Sequence, residues 1–155
     1  MDGASFVRHV SLGPKGSIWS AQVSYASAPD APKFDIYLAS VASPDPARGG
    51  VDDAGTLLEE SGLTYVKLFG PIDTYAAAFT DDGWHGTIPF RLAGADLAPF
   101  TAFGANDAFG FRTINGGAGQ YAVRLRINGK NAASTGYHLR VTELAFVRLD
   151  DFSYP

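Results

Sequence analysis

The chain of 155 residues contains no cysteine. That excludes disulfides, thiolate nucleophiles and thiolate metal sites together. Charge is also scarce. Asp, Glu, Lys and Arg make up 18% of the residues, against about a quarter in an ordinary soluble domain, which suggests that other chains cover part of the surface. Basic residues are the minority, 12 Lys and Arg against 16 Asp and Glu, for a net charge of −4. A general nucleic-acid binder shows the opposite excess. No apolar run approaches the roughly 20 residues of a spanning helix, so no membrane insertion is expected. The start, Met1-Asp2-Gly3-Ala4-Ser5, lacks the basic and apolar regions of an export signal, so synthesis in the cytoplasm as a soluble protein is expected. Internal repeats and heptads are missing as well.

What is present is punctuation and alternation. The 18 Gly and 9 Pro suit many short strands and turns. In Ser17 to Ala26, Trp19, Ala21, Val23 and Tyr25 share one face and Ser20, Gln22 and Ser24 the other, the period of two of a half-buried strand. Phe34, Ile36 and Leu38 alternate in the same way, as do Tyr121, Val123, Leu125 and Ile127. Further strands are expected at Ser5 to Leu12, Thr64 to Phe69, Asp73 to Phe79, Thr87 to Leu92 and Phe109 to Ile114. Thr80 to Gly86 reads as a turn, and Gly55 to Gly62 or Ala95 to Phe100 as the only room for helix. Asn128-Gly129 opens a polar connector, and Asn-Gly supplies the positive φ of a tight turn. The last two long strands, before and after it, are therefore expected to pair antiparallel. The expected fold is a single all-β domain over 1–155, an antiparallel two-sheet β-sandwich of jelly-roll type with about eight or nine strands.

The segment Leu125-Arg126-Ile127-Asn128-Gly129-Lys130-Asn131-Ala132-Ala133-Ser134-Thr135-Gly136-Tyr137 resembles the final hairpin of small β-sandwich domains in phage head-fibre, spike and tail-fibre proteins. Relatives of these occur on gene transfer agents. Trp19 to Tyr25 and Phe34 to Ser40 are similar to the opening strands of the same domains. The resemblance implies a jelly roll on a virion surface, assembled as a homotrimer, in contact with other virion proteins and with host-envelope polysaccharide. Met1 stands almost at the first strand, without a fibrous stalk, which favours a short head spike or decoration protein. A free carbohydrate-binding module of jelly-roll type is the alternative.

No catalytic constellation is legible, and no enzyme activity, metal or other cofactor is expected. His9, His85 and His138 lie in separate segments without metal-ligand spacing, and there is no nucleophile elbow or P-loop. The constellation with binding chemistry is Asp81, Asp82, Trp84 and His85. An exposed Trp offers a platform to the apolar face of a sugar ring, and carboxylates beside it take the hydroxyls. The competing and favoured reading is a tight turn whose Trp84 folds back to cap the core. Asp45, Asp52 and Asp53 with Asp81 or Asp82 could build a calcium site, but they show no EF-hand-like spacing. Arg124, Arg126 and Arg140 are expected on one sheet face, either solvated and bridged to local acids or meeting anionic envelope sugars or acids such as Glu143 on a neighbouring subunit. Phe100, Phe103, Phe109 and Phe111 are expected in the core. After Val141 the apolar phase breaks at Leu144, Phe146 and Leu149, through either a β-bulge near Thr142-Glu143 or cover on both faces. The second option makes Leu144, Phe146 and Phe152 candidate subunit contacts.

Overall fold

The computed structural model describes residues 1–41, 57–60, 62–81, 83–86, 89–93 and 112–150. Within them lie ten strands: β1 (Ser5–Leu12), β2 (Ile18–Ala26), β3 (Lys33–Ser40), β4 (Leu57–Glu60), β5 (Leu63–Asp73), β6 (Trp84–Gly86), β7 (Phe90–Ala93), β8 (Arg112–Asn115), β9 (Gly119–Ile127) and β10 (Arg140–Arg148). No helix occurs among the described residues. One sheet has the order β1-β9-β3-β5-β4; the second has β10-β2-β7-β8, with β6 also paired to β2. The molecule is an all-β sandwich. Its ladders are antiparallel apart from β7 and β8, which run parallel. Ten strands instead of eight or nine arise because Leu57–Glu60 pairs with β5, where helix was allowed, and because the expected turn at 80–86 ends in β6.

The core lies between the sheets. Val23, Phe34, Ile36, Leu38, Tyr121, Val123 and Leu125 are buried in it, with Trp19 and Tyr25 packed against them; Ile127 is buried too. These are the inward positions that alternation assigned. Side chains such as Phe34, Ile36 and Leu38, at 0% exposure, each stabilise the fold by about 2–3 kcal/mol through removal from water.

Several expectations are corrected. β9 and β10 do not form a hairpin: β9 lies between β1 and β3, whereas β10 lies at the edge of the other sheet beside β2. The Asn128 to Leu139 connector therefore arches from one sheet to the other. Gly129 does adopt positive φ, at 75°. The connector is tied to the β2–β3 loop instead: Ser134 Oγ donates to Ala31 O at 2.8 Å, and the backbone N–H groups of Thr135 and His138 donate to Pro29 O and Asp30 O, each at 2.9 Å. β5 runs unbroken through Gly70-Pro71, so Asp73 to Phe79 is no separate strand. The bulge near Thr142 is present, with the register shifting between Val141 and Glu143.

The basic stripe does not form. Arg140 lies in the second sheet, bonded to Asp30. Arg124 is buried, its guanidinium 4.9 Å from the Tyr65 ring centroid and donating to Ser5 Oγ at 2.6 Å. It sits on the far face of the first sheet, where Tyr37, Ala39, Tyr65 and Ala122 make a second buried cluster. β3 is thus buried on both faces. Its Asp35, 1% exposed, accepts from Asn128 Nδ2 at 2.9 Å and lies 3.5 Å from Lys67 Nζ, as burying a carboxylate requires.

Candidate carbohydrate-binding face

The chain returns to β2 after the Tyr75 to Phe79 segment. The backbones of Ser27 and Thr80 exchange two hydrogen bonds of 2.8 Å, and Tyr25 N–H donates to Gly83 O at 3.0 Å. A Cβ on Gly83 would stand 3.0 Å from the Tyr25 ring, so a glycine lets the segment lie this close. β6 then pairs with β2, Ser24 opposite Trp84, Val23 opposite His85 and Gln22 opposite Gly86.

That register separates two residues the sequence grouped together, because neighbours along a strand point to opposite faces. Val23 is a core residue at 0% exposure, so His85 turns inward, its ring 4.4 Å from the Phe69 ring. Trp84 turns outward and is 57% exposed. The core-cap reading of Trp84 is therefore corrected: the indole stands on the outer face of the sheet. Asp81 is exposed in the preceding segment. Asp82 lies outside the described residues, as do Asp45, Asp52 and Asp53, Phe100, Phe103, Phe109 and Phe111, the Ala95 to Phe100 segment, and Phe152.

The companions of Trp84 come from β2 and β10. Directly opposed residues share a face, and Ser24 is opposed by Trp84 on one side and Glu143 on the other. The next row reads Gly86, Gln22 and Ala145. Three strands at the usual spacing put about 10 Å between the Trp84 and Glu143 backbones, with side chains no larger than Ser, Gln and Ala between them. The Thr142 hydroxyl donates to Ser24, 2.9 Å from its Oγ and 3.1 Å from its carbonyl oxygen. Thr142 and Glu143 are exposed. The bulge brings both to this face, since it adds one residue and so resets which side chains point outward. The outer face thus offers an aromatic wall, a low floor of hydroxyl and amide groups, and a carboxylate.

Sequence reasoning did not assign Gln22, Ser24, Thr142 or Glu143 to the Trp84 site. Polar alternation in β2 marked Gln22 and Ser24 as outward, but nothing in the sequence joined them to residues some 60 and 120 positions away.

Other candidates are placed elsewhere. Leu144 and Phe146 face inward against the core, with Phe146 6.3 Å from Phe90 in an edge-to-face pair. The bulge accounts for their phase, and cover on both faces is not needed. His9 is exposed on the edge strand β1. His138 is exposed beside Arg140, whose guanidinium donates to Asp30 Oδ1 and Oδ2 at 2.7 and 3.1 Å. The hydrogen bonds from Arg140 hold the Asp30 carboxyl below its ordinary value, and the cluster fastens the arch to the β2–β3 loop. Among the described residues no three His, Asp or Glu side chains converge as a metal site would require.

Compared with protein-family models, with curated proteins and with solved structures, the chain matches none.

Proposed function

We propose that this chain is a non-enzymatic virion surface protein, a spike, fibre or decoration subunit of jelly-roll type, that touches bacterial envelope glycan through the outer face carrying Trp84. The observation that carries the glycan reading is the 57% exposure of Trp84 on a face where Ser24, Gln22, Thr142 and Glu143 stand beside the small residues Gly86 and Ala145. Leaving so large an apolar ring in water forgoes about 2–3 kcal/mol of burial, and a sugar restores that burial while its hydroxyls meet Gln22, Ser24, Thr142 and Glu143. An aromatic wall beside a few placed polar groups is the general composition of a small-molecule site. The virion setting rests on the likeness of residues 19–25, 34–40 and 125–137 to phage fibre and spike domains, together with the low charged fraction of 18%, which favours a homotrimer docked on other virion proteins.

The test is Trp84→Ala. Because the side chain is exposed, the substitution is expected to leave the melting temperature within the range of ordinary surface changes, about 0.5 kcal/mol, and to abolish binding to host cells and purified capsule. Retained binding by the folded variant overturns the glycan reading. A free carbohydrate-binding module uses the same face but needs no neighbours, so a monomeric mass over a wide concentration range favours that second reading over the virion one.

A further inference from the structure

The two sheets leave an opening along one flank. β1 is the last strand of its sheet and β10 the last of the other, and between them lies a cavity of about 420 Å³. Its size is within the roughly 300–1,000 Å³ of small-ligand pockets. Trp19, Leu144 and Phe146 form one wall and Val10 part of the other. The indole N–H of Trp19 is already satisfied by Ser17 Oγ at 2.8 Å, which leaves the rest of its ring for apolar contact.

The charge at this cavity has one sign. Arg8 is exposed and lines it on the face it shares with Val123, whereas the His9 side chain, opposite Ala122, turns to the other face of the sheet; no Asp or Glu is among the described lining residues. This stands out on a chain of net charge −4. Arg8 packs over the Phe6 ring, 5.3 Å from its centroid, and donates to Val7 O at 3.0 Å; it has no carboxylate partner among the described residues. A guanidinium presents five donors in a rigid fork, so a single carbonyl leaves most of its capacity for a carboxylate.

We infer that the β1–β10 cleft is a second binding site, separate from the Trp84 face, for an amphipathic monocarboxylate whose short acyl or single-ring body enters between Val10 and the wall of Trp19 and Phe146 while its carboxylate meets Arg8. The apolar walls supply burial, and the cation at the rim selects the acid over its neutral counterpart. This inference does not rest on the glycan reading, because the two sites share no side chain.

The probes are octanoate and octanol, titrated into isotope-labelled protein and followed by NMR at the Trp19 indole and the β1 amides. Octanoate is expected to shift these resonances saturably. Octanol against the native protein, and octanoate against Arg8→Gln, are each expected to bind at least about tenfold more weakly, the scale of one charge-assisted hydrogen bond. Trp84→Ala is expected to bind octanoate as the native protein does. The inference is overturned if no saturable shift appears, if the shifts map to Trp84 instead, or if octanol matches octanoate while Arg8→Gln binds unchanged.

Discussion

Tyr121 offers a sharp test of how burial governs stability in this fold. Its side chain is 0% exposed in the core, and its hydroxyl donates to Gly117 O at 2.6 Å. Gly116 lies so close to that hydroxyl that a Cβ there would collide with it. Water is excluded from the place where a phenolate would have to sit, and burial raises the Tyr121 pKa from 10.0 to about 12. In the unfolded chain the same phenol ionises at its ordinary value. Between the two values the unfolded state gives up a proton that the folded state must keep. This contribution to stability is therefore fully present below pH 10 and is lost as pH rises through about 12. A gap of about two pKa units amounts to about 3 kcal/mol in all, about half of it lost by about pH 11. Tyr121→Phe removes the ionisation along with the hydrogen bond. Near neutrality it is expected to cost about 1–2 kcal/mol; from pH 10 upward its stability should fall less steeply than that of the native protein, so that the two approach each other near pH 11. Urea unfolding at a series of pH values measures both curves, and the other ionising groups, common to both proteins, cancel in the difference. Parallel curves above pH 10 would show that Tyr121 ionises freely in the fold and would refute the reasoning.

Three further outcomes follow from other parts of the molecule. Gly129→Val is expected to lower stability by about 1 kcal/mol or more, because Gly129 has φ 75° while nothing lies within 4 Å of a new Cβ, so that the cost is backbone strain alone; an unchanged melting temperature counts against it. Phe146→Ala is expected to cost about 3 kcal/mol by thermal or urea unfolding, since Phe146 packs on the core and against Phe90, and a near-neutral result returns it to the list of subunit contacts. Asp30 and Asp150 are both held below their ordinary value of 3.8, chiefly by hydrogen bonds from Arg140 and Arg148. What they add to stability is present above that value and lost as pH falls through their lower folded values. Asp30→Asn should flatten the acid limb of the stability curve, and an unaltered limb would remove Asp30 from the account.

Much of this protein was written in local pattern. Strand alternation placed Trp19, Val23, Tyr25, Phe34, Ile36, Leu38, Tyr121, Val123, Leu125 and Ile127 on inward faces, and the phase break after Val141 left a bulge or two-sided cover as the choices, of which the structure has the bulge. The β class followed from the same signal, because a period of two can bury one face only as a strand. Asn128-Gly129 announced a residue with positive φ. At the candidate site, Trp84 was found for its chemistry, but His85 turns to the opposite face. Asp81 and His85 are its neighbours in the chain, whereas Ser24 and Glu143 are its neighbours across the sheet.

The difference has a physical cause. Alternation fixes which face a side chain takes, since it depends only on the backbone pleat, and it carries no information on which strand lies alongside. The positive φ at Gly129 suits a hairpin and an arch equally, so the passage of β9 and β10 into different sheets had to be decided by long-range packing. Burial of both faces of β3, with Asp35 held by Asn128 and Lys67, was likewise settled by distant residues. By itself the sequence determined the strand class, the core faces and the exceptional backbone positions. Only the tertiary structure decided that Trp84 faces water, that His85 does not, and that β1 and β10 leave a cleft with Arg8 at its rim.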